Sequence, residues 1–186
     1  MTHESPGANV GPRHIVAVEP ALPVGVERRT GSARVITVSD RASAGVYEDR
    51  SGPILVAGLR ALGLEVPDAT IVPDGDAVRA ALLDAVRAGV DVILTTGGTG
   101  LGPRDLTPEI TASVVERPVP GLAELLRADG LARGVPAAVL SRGIAGVVGR
   151  TLVVNVAGST GAARDAVRAL SPVLPHALDQ LAGRTH

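Results

Sequence analysis

Two aspartates and a glycine-rich loop carry the chemistry that this chain can do. Asp74 lies in Val72-Pro73-Asp74-Gly75-Asp76, and Asp105 lies in Pro103-Arg104-Asp105-Leu106. Between them runs Thr95-Thr96-Gly97-Gly98-Thr99-Gly100. Glycine lets a ligand approach the backbone closely. Bare N–H groups and threonine hydroxyls suit phosphate oxygens. Two carboxylates beside a phosphate cradle match what magnesium-assisted phosphoryl chemistry needs, since Mg²⁺ is held by one or two carboxylates plus substrate phosphates. Taken singly, each aspartate has a plainer reading. Asp74 would form a turn with Gly75, and Asp105 would make a surface pair with Arg104, worth little to stability.

A second polar stretch, Ser39-Asp40-Arg41-Ala42-Ser43-Ala44-Gly45, continues to Tyr47, Asp49, Ser51 and Gly52. A third, Asn155-Val156-Ala157-Gly158-Ser159-Thr160-Gly161, is another glycine-containing loop after an apolar run. Absences narrow the chemistry. The chain has no Cys and no Lys; all 18 of its basic residues are Arg. That removes a thiolate nucleophile, a zinc finger, a Schiff-base lysine and the P-loop lysine. The four His residues, His3, His14, His176 and His186, are too scattered for a metal cluster or a Ser-His triad. Tyr47 is the single aromatic residue, so the sequence argues against base stacking on aromatic platforms. With 19 acidic residues and a net charge of −1, nothing suggests nucleic acid or an anionic membrane surface. No apolar run approaches a bilayer span, and the start lacks a secretory pattern, so a cytoplasmic protein is expected.

These loops need elements to hold them. Residues 1–31 carry Pro6, Pro12, Pro20 and Pro23 and read as a mobile extension with a short strand at Ile15–Val18. Residues 32–186 read as the globular domain. Strands are expected at Arg34–Ser39, Ala69–Val72 and Val90–Leu94. Helical spacing marks Gly52–Leu62 and Asp76–Ala88, the latter capped by Asp76 and ended by Gly89. Thr107 would cap a further helix running to about Glu116, with Pro108 at its first position. Gly121–Leu131 reads as a helix ending near Gly130. Ala137–Ser141, Gly143–Val148 and Arg150–Val156 read as strands, and Ala162–Leu170 and Val173–Leu181 as closing helices. The strand–helix alternation predicts an α/β fold, a three-layer α/β/α sandwich around a mostly parallel sheet. The loops after Ser39, Val72 and Thr96 would then share one sheet edge, where open α/β sheets bind ligands. The pattern of a dinucleotide-binding oxidoreductase, G-x-G-x-x-G after the first strand, is absent.

SDRASAG with Asp49 and Ser51-Gly52, PDG, TTGGTG, PRDLTPE and LSRGIAGVVGRTLVVNVAG occur in an order that resembles the molybdenum-cofactor proteins of the Mog and MoaB type. The resemblance spans about Arg34 to Arg168. It implies transfer of AMP from ATP to molybdopterin with Mg²⁺, a molybdopterin-binding α/β/α fold and a homotrimer. It places Asp74 and Asp105 as catalytic and metal-holding residues. It assigns substrate contacts to Ser39, Asp40, Gly45, Asp49, Thr96, Gly97, Gly98, Thr99, Gly100, Arg104, Ser141, Asn155, Gly158, Ser159 and Thr160. The chain departs from the family in one loop, where Asn-Leu-Pro-Gly followed by Pro-Lys is usual. Here Ala157 stands in the proline's place and no lysine follows, though Arg164 could supply charge from the next helix. The departure motivates an alternative expectation, a catalytically weak paralogue that binds and carries molybdopterin.

Overall fold

The computed structural model describes residues 31–184. The expected strand at Ile15–Val18 lies outside them. Six strands form one sheet: β1 (Ala33–Val38), β2 (Thr70–Val72), β3 (Val92–Thr96), β4 (Arg117–Pro118), β5 (Ala145–Val148) and β6 (Thr151–Val156), in the spatial order β2-β1-β3-β6-β5-β4. β1, β2, β3 and β6 are mutually parallel, and β5 turns back antiparallel beside β6. Seven helices accompany them: α1 (Asp40–Ser43), α2 (Gly52–Ala61), α3 (Asp76–Arg87), α4 (Thr107–Ala112), α5 (Pro120–Ala132), α6 (Thr160–Leu170) and α7 (Leu174–Leu181).

Successive strand residues point to opposite faces, and the two cores divide accordingly. Val35, Leu94 and Val154 join Leu55 and Leu59 of α2, Leu122 of α5, Ala166 of α6 and Leu178 of α7. Ile36, Ile93 and Val153, one residue away in each case, join Val78 and Leu82 of α3 on the other face. The strands are apolar on both sides because both sides are covered, as parallel sheets require. The helices earn their places by spacing: Val78, Leu82 and Ala85 form the buried stripe of α3, and Ala163, Ala166 and Leu170 that of α6. The result is the expected three-layer sandwich.

Several local expectations need correcting. Asp76 does not cap α3; Gly75 holds the cap position and Asp76 is the first helical residue, where its charge complements the helix dipole. Thr107 likewise sits inside α4, with Leu106 at the cap position. That helix stops at Ala112 rather than near Glu116, ahead of the β-branched pair Val114-Val115. Arg117–Pro118 then pairs with β5 as an edge strand, a place that tolerates proline. Ala137–Ser141 is not a strand: Pro136–Leu140 forms a 3-10 turn. Gly130 does not end α5, which runs on to Ala132. A Cβ at Gly130 would stand 2.6 Å from that of Ala138, so the bare position lets the turn pack on the helix.

Candidate functional site

Parallel register brings the loops together. Val38 pairs with Val72, Thr37 with Thr96, and Thr96 with Val156. Ser39, Pro73, Gly97 and Ala157 therefore leave the sheet side by side at its C-terminal edge. Two backbone bonds extend the pairing past the strands, Ser39 N–H to Val72 C=O (2.9 Å) and Gly97 N–H to Val156 C=O (3.1 Å).

The glycine loop is held from outside by its carbonyls. Gly98 C=O accepts from Thr107 N–H (3.1 Å), Thr99 C=O from Arg142 N–H (2.8 Å), and Gly100 C=O from Arg142 Nε (2.7 Å). Among the described residues, the N–H groups of Gly98, Thr99 and Gly100 have no hydrogen-bond acceptor. Gly97 and Gly98 both have positive φ, +106° and +61°. A Cβ on Gly97 would lie 2.2 Å from Val38 C=O, and one on Gly98 would lie 2.3 Å from Thr107 Oγ1 and 2.8 Å from Asp74 Oδ1. Conformation and close approach thus both demand glycine here.

Asp74 reaches this loop from β2, and its backbone N–H donates to Asp40 Oδ1 (3.2 Å). Its own carboxylate accepts no hydrogen bond from the described residues. Partial burial raises its pKa above the ordinary aspartate value, and repulsion from Asp40 and, more weakly, Asp105 adds to the rise. Arg104 pairs with Asp40 (2.8 Å), not with its neighbour Asp105 as the surface-pair reading expected. Asp105 instead closes its own turn, with Oδ2 accepting from Gly102 N–H (2.8 Å). Thr107 Oγ1 is buried and has no hydrogen-bond partner among the described residues. Asp40, Asp74, Asp105 and Arg104 thus gather around the glycine loop from three different strand ends.

Other expected contacts sort into two kinds. Thr96 Oγ1 ties down Ala157 C=O (3.2 Å), and Ser141 Oγ donates to Thr99 Oγ1 (3.1 Å). Ser39 caps α1 through Ala42 N–H (3.2 Å) and Ser159 caps α6 through Ala162 N–H (3.1 Å). Gly158 packs against Gly97, where a Cβ would meet Gly97 Cα at 3.0 Å. Asp49 and Asn155 are bonded within the fold, and each also lines a cavity at this edge. Asp49 accepts from Thr37 Oγ1 (2.6 Å), Ser51 N–H and Gly52 N–H (3.0 Å each), which anchors the start of α2. Asn155 is buried and bonds Ile144 N–H (3.1 Å), Thr95 Oγ1 and Thr111 Oγ1 (3.0 Å each). Gly45 takes the left-handed turn after α1, with φ +70°.

Two cavities open beside the loop Ala157–Thr160. One of about 240 Å³ is mainly apolar, walled by Ala123, Leu126, Val135, Ala138, Val156 and Ala162. Arg127 edges it and is fixed by bonds to Ser141 C=O (3.2 Å) and Gly143 C=O (3.0 Å). The other, of about 420 Å³, is more polar and is lined by Ser39, Tyr47, Arg50, Ser51 and Thr160. Ser159 borders both. Sequence reasoning missed Arg142 and Arg127; Tyr47 belongs to the polar stretch already singled out after Ser39. Arg142 alone had a visible signal, its place directly after Ser141 in a motif already tied to the site. Besides bonding Gly100, its guanidinium reaches Asp105 C=O and pairs with Glu109, whose pKa that bond lowers. Arg164, the suggested replacement for the missing lysine, is exposed and makes no ion pair among the described residues.

Fold and site together define an α/β domain whose candidate site lies at the C-terminal edge of its sheet. Residues 34–176 match the family described as a probable molybdopterin binding domain, and the chain belongs to that family. A molybdenum cofactor biosynthesis bifunctional protein of Chlorobaculum tepidum is 42% identical over 82% of this chain and 49% of its own length. The chain thus spans about half the length of that relative. A molybdopterin adenylyltransferase of Helicobacter pylori is 36% identical over 80% of this chain and 86% of its own length. The solved structure of the molybdopterin biosynthesis Mog protein of Mycobacterium ulcerans is 48% identical with a TM-score of 0.77. It covers 81% of this chain and 99% of that one.

Proposed function

We propose that this chain is a molybdopterin adenylyltransferase acting in molybdenum cofactor biosynthesis. A terminal phosphate oxygen of molybdopterin attacks the α-phosphorus of ATP. The new P–O bond forms as the α–β bridging P–O bond breaks, and pyrophosphate leaves. The observation that carries this reading is the glycine loop: the carbonyls of Gly98, Thr99 and Gly100 are all engaged from outside, while their N–H groups have no partner among the described residues. That is a preorganised cradle for phosphate oxygens, and preorganised donors are the largest common source of transition-state stabilisation. The adenylyltransferase of Helicobacter pylori supports the same assignment.

The residues present fit Mg²⁺. The carboxylate of Asp74 is unbonded, repelled by its neighbours and ready for a cation, and Asp105 stands beside the same loop. Among the described residues no group of three metal ligands exists. Asp74 and Asp105 would therefore hold the ion jointly with substrate phosphates. When bound, it would neutralise charge on the phosphates. The chain's own groups do the rest. Arg142 keeps the loop oriented, Asp40 and Arg104 fix the position of Asp74, and Thr107 Oγ1 offers a buried hydroxyl at the loop. We assign the adenine end of ATP to the apolar cavity, whose aliphatic walls suit a planar base, and the pterin end to the polar cavity. The carrier alternative rests on Ala157 alone, and the intact pair of aspartates favours turnover. A homotrimer in the cytoplasm is the setting we propose. Among the described residues, no helix is long and apolar enough to cross a membrane.

The test is incubation with molybdopterin, ATP and Mg²⁺, followed by detection of adenylylated pterin. Asp105→Asn keeps the size but removes the charge, and should lower turnover by roughly a hundredfold, the scale of losing one preorganised group at a reacting centre. Wild-type turnover by Asp105→Asn at limiting Mg²⁺ would overturn the assignment of that residue.

A further inference from the structure

The polar cavity contains the chain's only aromatic side chain. Tyr47 lines its wall and is 48% exposed. Two guanidinium groups attend the ring: Arg41 Cζ lies 5.6 Å and Arg50 Cζ 5.9 Å from its centroid. Both fall within cation–π range. Arg50 has only a long contact with Glu48 (3.8 Å), and Arg41 has no ion pair among the described residues. So the cavity is lined by a half-exposed ring, by the weakly committed Arg50 and by the hydroxyl-capped start of α6, while Arg41 approaches the ring without lining the cavity.

We infer that Tyr47 is the stacking platform for the pterin ring of the substrate, with Arg41 and Arg50 beside it to attract the phosphate that the pterin carries. This deepens the proposed adenylyl transfer and rests on it for the identity of the substrate. It also reverses the sequence expectation that a chain with one aromatic residue uses no aromatic stacking. One ring in the right cavity is enough. The apolar cavity contains no aromatic side chain, so the nucleotide base there lies against aliphatic walls. The ring thus distinguishes the two substrates of one reaction.

The single tyrosine makes the test direct. Protein labelled with ¹³C-tyrosine gives one set of ring signals, all from Tyr47. Titration with 6-hydroxymethylpterin phosphate should shift them through the ring current of the stacked pterin, and ATP should leave them nearly unmoved. Tyr47→Ala should weaken pterin binding about tenfold, the common scale for one stacked base, and raise the KM for molybdopterin more than it lowers kcat. Tyr47→Phe keeps the ring and should restore binding. A shift with ATP alone, no shift with either ligand, or undiminished pterin affinity in a folded Tyr47→Ala protein would each overturn the inference. The two readings separate cleanly. If adenylyl transfer is absent but the pterin moves the Tyr47 signals, the platform stands and the enzyme reading falls. If transfer proceeds and Tyr47→Ala binds pterin normally, the platform falls alone.

Discussion

Replacing Arg142 by lysine tests what shapes the phosphate cradle. The guanidinium makes three contacts at once: Nε to Gly100 C=O at 2.7 Å, a second nitrogen to Asp105 C=O, and a third to Glu109. Lysine keeps the charge but has no planar fork, so it can serve about one of the three. Hydrogen bonds from charged donors contribute about 1.5–3 kcal/mol each. The side chain is 35% exposed, so water screens and partly replaces what is lost. A net cost of about 1.5–3 kcal/mol in ordering the loop is reasonable. At 1.4 kcal/mol per factor of ten, kcat/KM for ATP should fall by roughly ten- to a hundredfold. The fold should persist, because the loop lies outside both cores and the backbone bond from Arg142 N–H to Thr99 C=O remains. A second readout is independent of catalysis. The bond from Arg142 is the main reason the pKa of Glu109 lies below its ordinary value, so the substitution should let it rise, as a carboxylate NMR titration would record. If Glu109 moves but kcat/KM does not, the guanidinium is a surface clamp and the outward pull on the loop carbonyls does not matter for the reaction.

Two further outcomes follow from the same geometry. The raised pKa of Asp74 means that the folded state holds this proton to higher pH than the unfolded chain does; stability therefore falls as pH rises through that window, and the penalty is fully present above the folded-state pKa. Asp74→Asn removes the charge, so the variant should melt above wild type at neutral pH, with the difference vanishing at acidic pH, while losing turnover; a lower melting temperature at neutral pH would refute the electrostatic account. Ala157→Pro should tighten ATP binding two- to fivefold, from a saving of about 0.4–1 kcal/mol in loop ordering. Two requirements of proline are met: the Ala157 N–H has no partner among the described residues, and Val156 is already extended in β6. Unchanged or weaker binding in isothermal titration would mean that the alanine loop is already rigid.

What could be read from the residue order was whatever depends on local pattern. The apolar β-branched runs behind β1, β3 and β6 and the 3–4 spacing behind α2, α3 and α6 are short-range signals. Parallel order then placed the loops after Ser39, Val72 and Thr96 at one edge without any coordinates. The readings that failed depend on contacts distant in the chain. The bonds of Asp49 to Thr37 and of Asn155 to Thr95 and Thr111 could not be read from the residue order either, though both residues line the cavities at the sheet edge. Arg104 was paired with Asp105 by proximity in sequence, but a tight turn points Asp105 at Gly102 and leaves Arg104 to Asp40, 64 positions upstream. The strand expected at Ala137–Ser141 failed for a similar reason. Ala138 packs on Gly130 of α5, and no neighbouring strand is there to pair with the segment.

In the proposed reaction a chain without lysine must hold phosphates by other means. The usual answer is a flexible ammonium that follows the phosphate as charge shifts. Here the positive end of the site is built from backbone N–H groups, fixed by pulling their carbonyls the other way. Arginine does the pulling from outside the cradle, so its charge helps without occupying the space a phosphate needs. The same logic explains the paired aspartates. In the proposed reaction backbone dipoles alone would not neutralise a triphosphate, and a cation held beside the partly buried, raised-pKa carboxylate of Asp74 would supply the balance. The cradle and the aspartates would then act together on a substrate that arrives with both its phosphates and its metal.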